Sequence, residues 1–357
     1  MTREASPHDC KLHSPLPAQP DVIGVRAALR RSVRFRWYRW GGWLRRVLGS
    51  NRKPFAALYA LMKQDSRTAP PLYQAGRFWE QINNDFADLI YAGALQNLRN
   101  QYLNRRFASL DPWCRQAYRS LLWLYYQRLK AVDTERFLDT ACEPSEGGVA
   151  DQELIHAGAM SIDFLQAVDE TYRVLAAWQM SGRSGKPRLI IELGAGYGRL
   201  AYVFRRIVPD CSYVILDLPE ALSCSASWLG RVLAEEAVPY SESRLMTRFT
   251  REALLSRKLW TLAAYQIEQI DRKSADAFIN VHSLAEMPKA VIDNYFAKID
   301  SLTSGVFYSK QRSVERNAAD NFVVTLDSYP VRTSWHLLFL ETSSLYENCF
   351  ETAYAIA

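Results

Sequence analysis

Two stretches of this chain hold residue types at spacings that can do chemistry. In the first, Leu189-Ile-Ile-Glu192-Leu-Gly194-Ala195-Gly196-Tyr197-Gly198-Arg199, an apolar run breaks on an acid and three glycines follow at alternate positions. Glycine admits positive φ and lets a ligand approach the main chain closely. The layout is therefore that of a nucleotide-type cofactor cradle between a strand and a helix. In the second stretch, Asn280, His282 and Glu286 follow one another closely at and beyond the end of another apolar run, Ala277–Val281. Histidine titrates near neutrality without tuning, and either it or a carboxylate suits the removal of a proton from a hydroxyl nucleophile. Asn280, at a strand end, can position a ligand.

The type of cofactor follows from three details. Glu192 stands two residues before the first glycine, where a site for a dinucleotide pyrophosphate usually has no acid. The spacing is G-x-G-x-G, with Leu200 where the third glycine of G-x-G-x-x-G would stand. Asp217 ends the next apolar run, where a carboxylate can accept both hydroxyls of a ribose. Together these favour S-adenosylmethionine, with its cationic amino-acid end, over NAD or FAD. Structural roles stay open beside them: Asp217 as a helix cap, Glu192 as a partner of Arg199, His282 as a capping histidine and Glu286 as a helix cap.

These residues need strands to hold them. Apolar runs predict strands at Leu189–Leu193, Tyr213–Asp217, Leu259–Leu262, Ala277–Val281, Gly305–Ser309, Trp335–Leu340 and Cys349–Ala355, with helical patterns between them. That alternation predicts an α/β fold, a doubly wound Rossmann-like sheet of seven strands whose last pair forms a hairpin. Upstream the pattern is helical, with helices expected at Phe78–Leu98, Asp111–Leu129 and Ser161–Met180. Ser161 reads as the N-cap of the last of these. Ser184-Gly-Lys-Pro187 reads as a hinge. The expected division is a tail with a basic helix over residues 1–66, a helical lid and acceptor domain over 67–184, and a cofactor-binding domain over 185–357.

Charge sets one segment apart. The chain of 357 residues carries a net +6. Between Val22 and Gln64 there are nine arginines, two lysines and no acid. The apolar positions Val25, Leu29, Val33, Trp37, Trp40, Leu44 and Val47 draw one helical stripe beneath those arginines. Such a helix either packs on its own protein or lies against an anionic membrane surface. In an expected cytoplasmic protein, residues 22–50 can thus either pack on the chain itself or make peripheral contact with the inner face of the membrane. No second basic cluster or aromatic reader motif supports nucleic-acid binding. The first twenty residues lack the apolar core of a secretory signal, and no apolar run approaches the length of a membrane span. The six cysteines are scattered without a CxxC spacing, which predicts reduced thiols and no metal site.

Glu192-Leu-Gly-Ala-Gly-Tyr-Gly198-Arg-Leu-Ala201, followed by Val214-Ile-Leu-Asp217-Leu218-Pro219, resembles the first motif and second strand of class I methyltransferases. Phe278-Ile-Asn280-Val-His282-Ser-Leu-Ala-Glu286-Met-Pro288 is similar to a narrower signature, that of the sugar O-methyltransferases of bacterial glycan clusters. The similarity extends upstream through Arg77-Phe-Trp-Glu80 and Ser161–Glu170, and spans roughly residues 70–355. The resemblance implies in-line transfer of a methyl group from S-adenosylmethionine to a sugar hydroxyl of a surface glycan or its precursor. It implies cofactor contacts from Glu192, Gly194, Ala195, Gly196, Tyr197, Gly198, Asp217, Leu218, Tyr265, Gln266 and Asn280. His282 or Glu286 is the candidate general base. Tyr308 and Lys310, read as the end of the fifth strand, are expected to border the acceptor. Two other functions fit the same residues: a non-catalytic cofactor-binding scaffold of a glycan-assembly complex, and a methyltransferase for a small molecule or lipid headgroup.

Overall fold

The computed structural model describes residues 54–83, 112–148, 153–155 and 158–357. The expected tail and basic helix of residues 22–50, and most of the helix expected at Phe78–Leu98, lie outside the described residues. In chain order the main elements are α1 (Pro54–Thr68), α2 (Pro112–Lys130), the strand pair β1 (Glu153–Ile155) and β2 (Gly158–Met160), and α3 (Ile162–Met180). There follow β3 (Leu189–Leu193), α4 (Arg199–Ile207), β4 (Ser212–Asp217), α5 (Pro219–Val232), β5 (Leu259–Ala263), β6 (Ala275–Val281) and α6 (Lys289–Leu302). The chain ends with β7 (Thr303–Arg312), a hairpin of β8 (Val314–Asn317) and β9 (Phe322–Thr325), then β10 (His336–Thr342) and β11 (Cys349–Ala355).

Seven strands form one sheet in the order β10-β11-β7-β6-β3-β4-β5. The pairs β3–β4, β4–β5, β3–β6 and β6–β7 are parallel, and β11 runs antiparallel to both β7 and β10. This is the doubly wound Rossmann-like sheet with a terminal hairpin that the sequence predicts. Every residue of β3, β4 and β5 is buried, as expected for parallel strands covered on both faces. On one face Ile190, Tyr213, Ile279 and Tyr308 pack with α3, α4 and α5. On the other, Leu189, Ile191, Phe278 and Phe307 pack with α6 and the segment that leads into β5.

The helix expected from Ser161 forms, and the Ser161 hydroxyl accepts the Phe164 N–H at 3.2 Å, as an N-cap does. Almost all of α3 is buried, because it lies on the sheet beside α4 and over β7 and β11. Residues 54–83 wrap the carboxyl ends of the strands, with α1 packed along α5. Asp65 of α1 receives Arg244 through two bonds, at 2.8 and 2.7 Å, and the Tyr240 hydroxyl at 2.8 Å. Among the described residues no helix is long and apolar enough to cross a membrane.

Candidate functional site

Strand order reverses at β3. The connection through α4 leads to β4 on one side, and the chain returns through β6 on the other. In such sheets the crevice beyond the carboxyl ends at this point is where ligands bind. The glycine turn fills it. Gly194, Gly196 and Gly198 all have positive φ, at 76°, 59° and 93°. A Cβ on Gly194 would lie 2.2 Å from the Ser283 hydroxyl oxygen, and one on Gly198 would lie 2.5 Å from Leu229. One on Gly196 would meet nothing within 4 Å. Two glycines therefore serve close packing, while the middle one faces open space where a ligand can approach the main chain.

This contrast gives a stability prediction. Alanine in a left-handed conformation costs about 1–2 kcal/mol at either Gly194 or Gly196. At Gly194 the displaced Ser283 adds an overpacking cost of about 1–3 kcal/mol. Urea unfolding should therefore rank Gly194→Ala below Gly196→Ala, and equal losses would contradict the packing described here.

Three carboxyls near these strand ends are pushed above the ordinary carboxylate range by burial. Burial pushes Glu192 up to about 8, against the opposing hydrogen bond from the Tyr213 hydroxyl at 2.9 Å. Burial raises Asp217 to about 7, although the N–H groups of Leu218, Gly196 and Ala195 turned toward it favour the charged form. Its Oδ1 accepts the N–H of Leu218, the residue that leads into α5, at 2.8 Å. Burial, with the Glu315 charge acting in the same sense, pushes Glu286 up to about 8. Glu286 keeps part of its surface open and accepts the Trp79 indole N–H at 3.1 Å.

His282 comes directly after β6, in a left-handed conformation with φ 65°, and its N–H donates to the Lys310 carbonyl at 2.8 Å. Its Nδ1 is buried without a hydrogen-bond partner. Burial, partly offset by the Glu170 charge, pushes the imidazole down to about 4. The ring is therefore neutral at physiological pH and a weak base. The pairing of environments instead favours Glu286, whose raised value lies near a working pH.

A helical stretch over residues 77–83 crosses this crevice. The N–H groups of Arg77 and Phe78 donate to the Asp320 carboxylate at 2.8 and 3.1 Å, so the turn between β8 and β9 caps it. One turn apart, Trp79 reaches Glu286 and Asn83 reaches Glu220 at 3.4 Å. Those two acids follow β6 and β4, on either side of β3, so the stretch bridges the glycine turn. A helix starting near Phe78 is expected from sequence, but its anchors on Asp320, Glu286 and Glu220 are not.

Several of the residues expected to meet the cofactor have partners within the chain. Asn280 is fully buried and donates to the Leu193 carbonyl at 2.8 Å and to Ser283 Oγ at 2.6 Å. It accepts from Leu284 N–H at 3.1 Å and Gln311 Nε2 at 2.6 Å. Its role is to tie the His282–Glu286 loop to the end of β3. Gln266 is also fully buried, with both ends of its amide engaged by Ala263 N–H and the Ser243 carbonyl, each at 3.0 Å. Tyr265 is half-buried beside Tyr240, to which it is hydrogen-bonded. The Tyr197 ring packs edge-on against Trp228 with its hydroxyl on Asp163, and Ala195 is buried. Leu218 is the N-cap residue of α5.

Tyr308 and Lys310 do not border a cleft. β7 continues to Arg312, so both residues lie within the strand and both side chains face α3. The Tyr308 hydroxyl donates to Glu351 at 2.9 Å. The Lys310 ammonium is enclosed 3.2 Å from Glu170 and 3.3 Å from Glu351. Arg199, the first residue of α4, also reaches Glu170 at 2.9 Å and Asp163 at 3.4 Å. This buried charge layer lies under the glycine turn. Among the described residues no group of three or more His, Cys, Asp or Glu is arranged to hold a metal ion.

No family model matches this chain, and no curated protein does. Solved structures resemble part of it. The pyocyanin biosynthetic protein PhzM aligns with a TM-score of 0.35 at 12% identity, over 55% of this chain and 58% of that one. Geranyl diphosphate methyltransferase in complex with SAM gives 0.39 at 10% identity, over 55% and 88%. Human N-acetylserotonin methyltransferase gives 0.33 at 12%, over 54% and 53%. The alignment thus spans little more than half of the first and last of these proteins, and likeness at this level assigns no activity.

Proposed function

We propose that this chain is an S-adenosylmethionine-dependent methyltransferase whose acceptor is a hydroxyl group, of a sugar in a bacterial surface glycan or its precursor. The observation that carries the reading is the turn itself: an open approach at Gly196, flanked by Asp217 and underlain by Glu192. Asp217 is set to accept a ribose, and the main chain at Gly196 to lie along the ligand. Glu192 is only 2% exposed and burial pushes it up to about 8, so it acts without contact: a cationic ligand nearby would draw it toward its ionised form. The sugar itself is supported by the similarity of the 278–288 segment to sugar O-methyltransferases.

When bound, S-adenosylmethionine supplies an electrophilic methyl group. What remains for the chain is to orient the acceptor, exclude water and take up the hydroxyl proton. Positioning alone contributes about 7–11 kcal/mol in favourable cases. The stretch over 77–83 roofs the crevice, and Glu286 beneath Trp79 takes the proton in its ionised form. Asn280 and Ser283 hold the loop on which Glu286 sits.

Titration of the full chain with S-adenosylmethionine and with NAD checks the cofactor. Saturable binding of the first, tighter than the second, is the expected result, and tighter binding of NAD would refute the reading. A screen of glycan acceptors with labelled S-adenosylmethionine, read by mass, then tests the acceptor. Release of S-adenosylhomocysteine separates an enzyme from a cofactor-binding scaffold.

A further inference from the structure

At the opposite end of the sheet, the amino ends of β3, β4 and β5 open on a cavity of about 1000 Å³. Its wall is rich in cationic side chains. Two of them are already paired: Lys186 with Glu135 at 2.7 Å, and Arg136 with Asp139 at 2.9 Å. Arg188, Arg206 and Lys258 also line it, are exposed, and have no carboxylate within ion-pair distance among the described residues. Arg206 is held in place, with its guanidinium 5.3 Å from the centre of the Tyr202 ring and donating to the Val232 carbonyl at 3.4 Å. The exposed Asp210 is the acid on this wall without a basic partner among the described residues.

Two details make the cavity more than a solvated basic surface. The end of a helix presents carbonyl groups, which repel anions. Here the buried Arg205, itself paired with Glu236 at 2.9 Å, covers carbonyls of the loop that follows α4, donating to those of Val208 at 3.3 Å, Pro209 at 2.6 Å and Cys211. The sheet also fixes the spacing of the free cations. Ser212 N–H donates to the Arg188 carbonyl at 2.6 Å and Tyr213 N–H to the Lys258 carbonyl at 2.9 Å. Arg188 and Lys258 therefore flank β4, and with strands about 4.8 Å apart their backbones stand about 10 Å apart.

We infer that this cavity is a second ligand site, for an anion carrying two or more phosphate groups, bracketed by Arg188 and Lys258 with Arg206 on the third side. Guanidinium and ammonium groups suit phosphate oxygens, the former through paired N–H donors. The five residues of β3 separate this site from the glycine turn by about 17 Å, so the two do not overlap.

The test is calorimetric titration of the full chain with inorganic pyrophosphate at constant ionic strength, for the wild type and for Arg188→Gln/Lys258→Gln. The expected result is saturable one-to-one binding that weakens at least tenfold in the double variant, and by a smaller factor in Arg206→Gln. All three substitutions are at exposed positions, and an unchanged melting temperature verifies the fold. Absence of saturable binding overturns the inference. So does equal binding by the double variant, which would place the anion away from Arg188 and Lys258. A wild type that binds pyrophosphate but not S-adenosylmethionine would refute the proposed activity and leave this site standing.

Discussion

Glu286→Gln should lower turnover by about 10²–10⁴-fold, the usual contribution of a general base, while leaving S-adenosylmethionine affinity within a few-fold of wild type. Glutamine keeps the shape and can still accept the Trp79 indole N–H, so a structural role alone would leave turnover little changed. The pH profile sharpens the test. Burial pushes Glu286 up to about 8, so at neutral pH its protonated form dominates. A base must be ionised to accept a proton; the wild-type rate should therefore climb through pH 7, reach half its plateau at about 8 and level off roughly a unit above that. The residual rate of Glu286→Gln should lack that limb. His282, pushed down to about 4, is neutral throughout this range and predicts a flat profile above pH 5 or so. A flat wild-type profile together with an inactive His282→Ala would transfer the role to the histidine.

Lys310→Met should cost about 3–5 kcal/mol of stability, because it removes one partner from a buried ionic cluster. The ammonium separates Glu170 and Glu351, each of which is 1% exposed. Burial acts to raise Glu170, yet the charges of Arg199 and Lys310 hold it below the ordinary carboxylate value. Without the lysine the two carboxylates share one buried layer, with Arg199 near one and Arg173 3.7 Å from the other. Urea unfolding at neutral pH measures the loss, and adding Glu351→Gln to the variant should recover at least half of it. A loss below about 1 kcal/mol, the usual worth of an exposed pair, would mean the layer is wetter than described.

The sheet was legible in sequence because each central strand is buried on both faces and so reads as an apolar run. All seven expected strands form, most within a residue or two of their predicted ends. The exception with consequences is β7, expected to stop at Ser309 but continuing to Arg312 through Lys310 and Gln311. A lysine inside a buried strand runs against the pattern, and only the two glutamates from distant elements make it tolerable. The turn was equally plain, since glycine is needed at each of its three positive-φ positions. The β8–β9 hairpin was not legible. Val314 and Val323 are exposed, so no apolar alternation marks it, and its stability depends on contacts with the rest of the chain. Nor does sequence show that burial lowers His282 and raises Glu286, because both shifts depend on what surrounds them. The residue types of the Asn280–Glu286 block are legible as chemistry, but not that Asn280 is fully buried and ties the loop to β3.

The anchors of residues 54–83 are remote. Asp65 depends on Arg244, Trp79 on Glu286, and the first turn of the 77–83 stretch on Asp320, at separations of 179, 207 and 243 residues. On a ribosome adding about 5–20 residues per second, the cap from Asp320 reaches this stretch roughly 10–50 s after Arg77 has been made. The wall of the crevice thus emerges first and is completed last. During that interval Trp79 has no carboxylate to bind, and the nascent chain holds an unfinished apolar segment that a chaperone can engage.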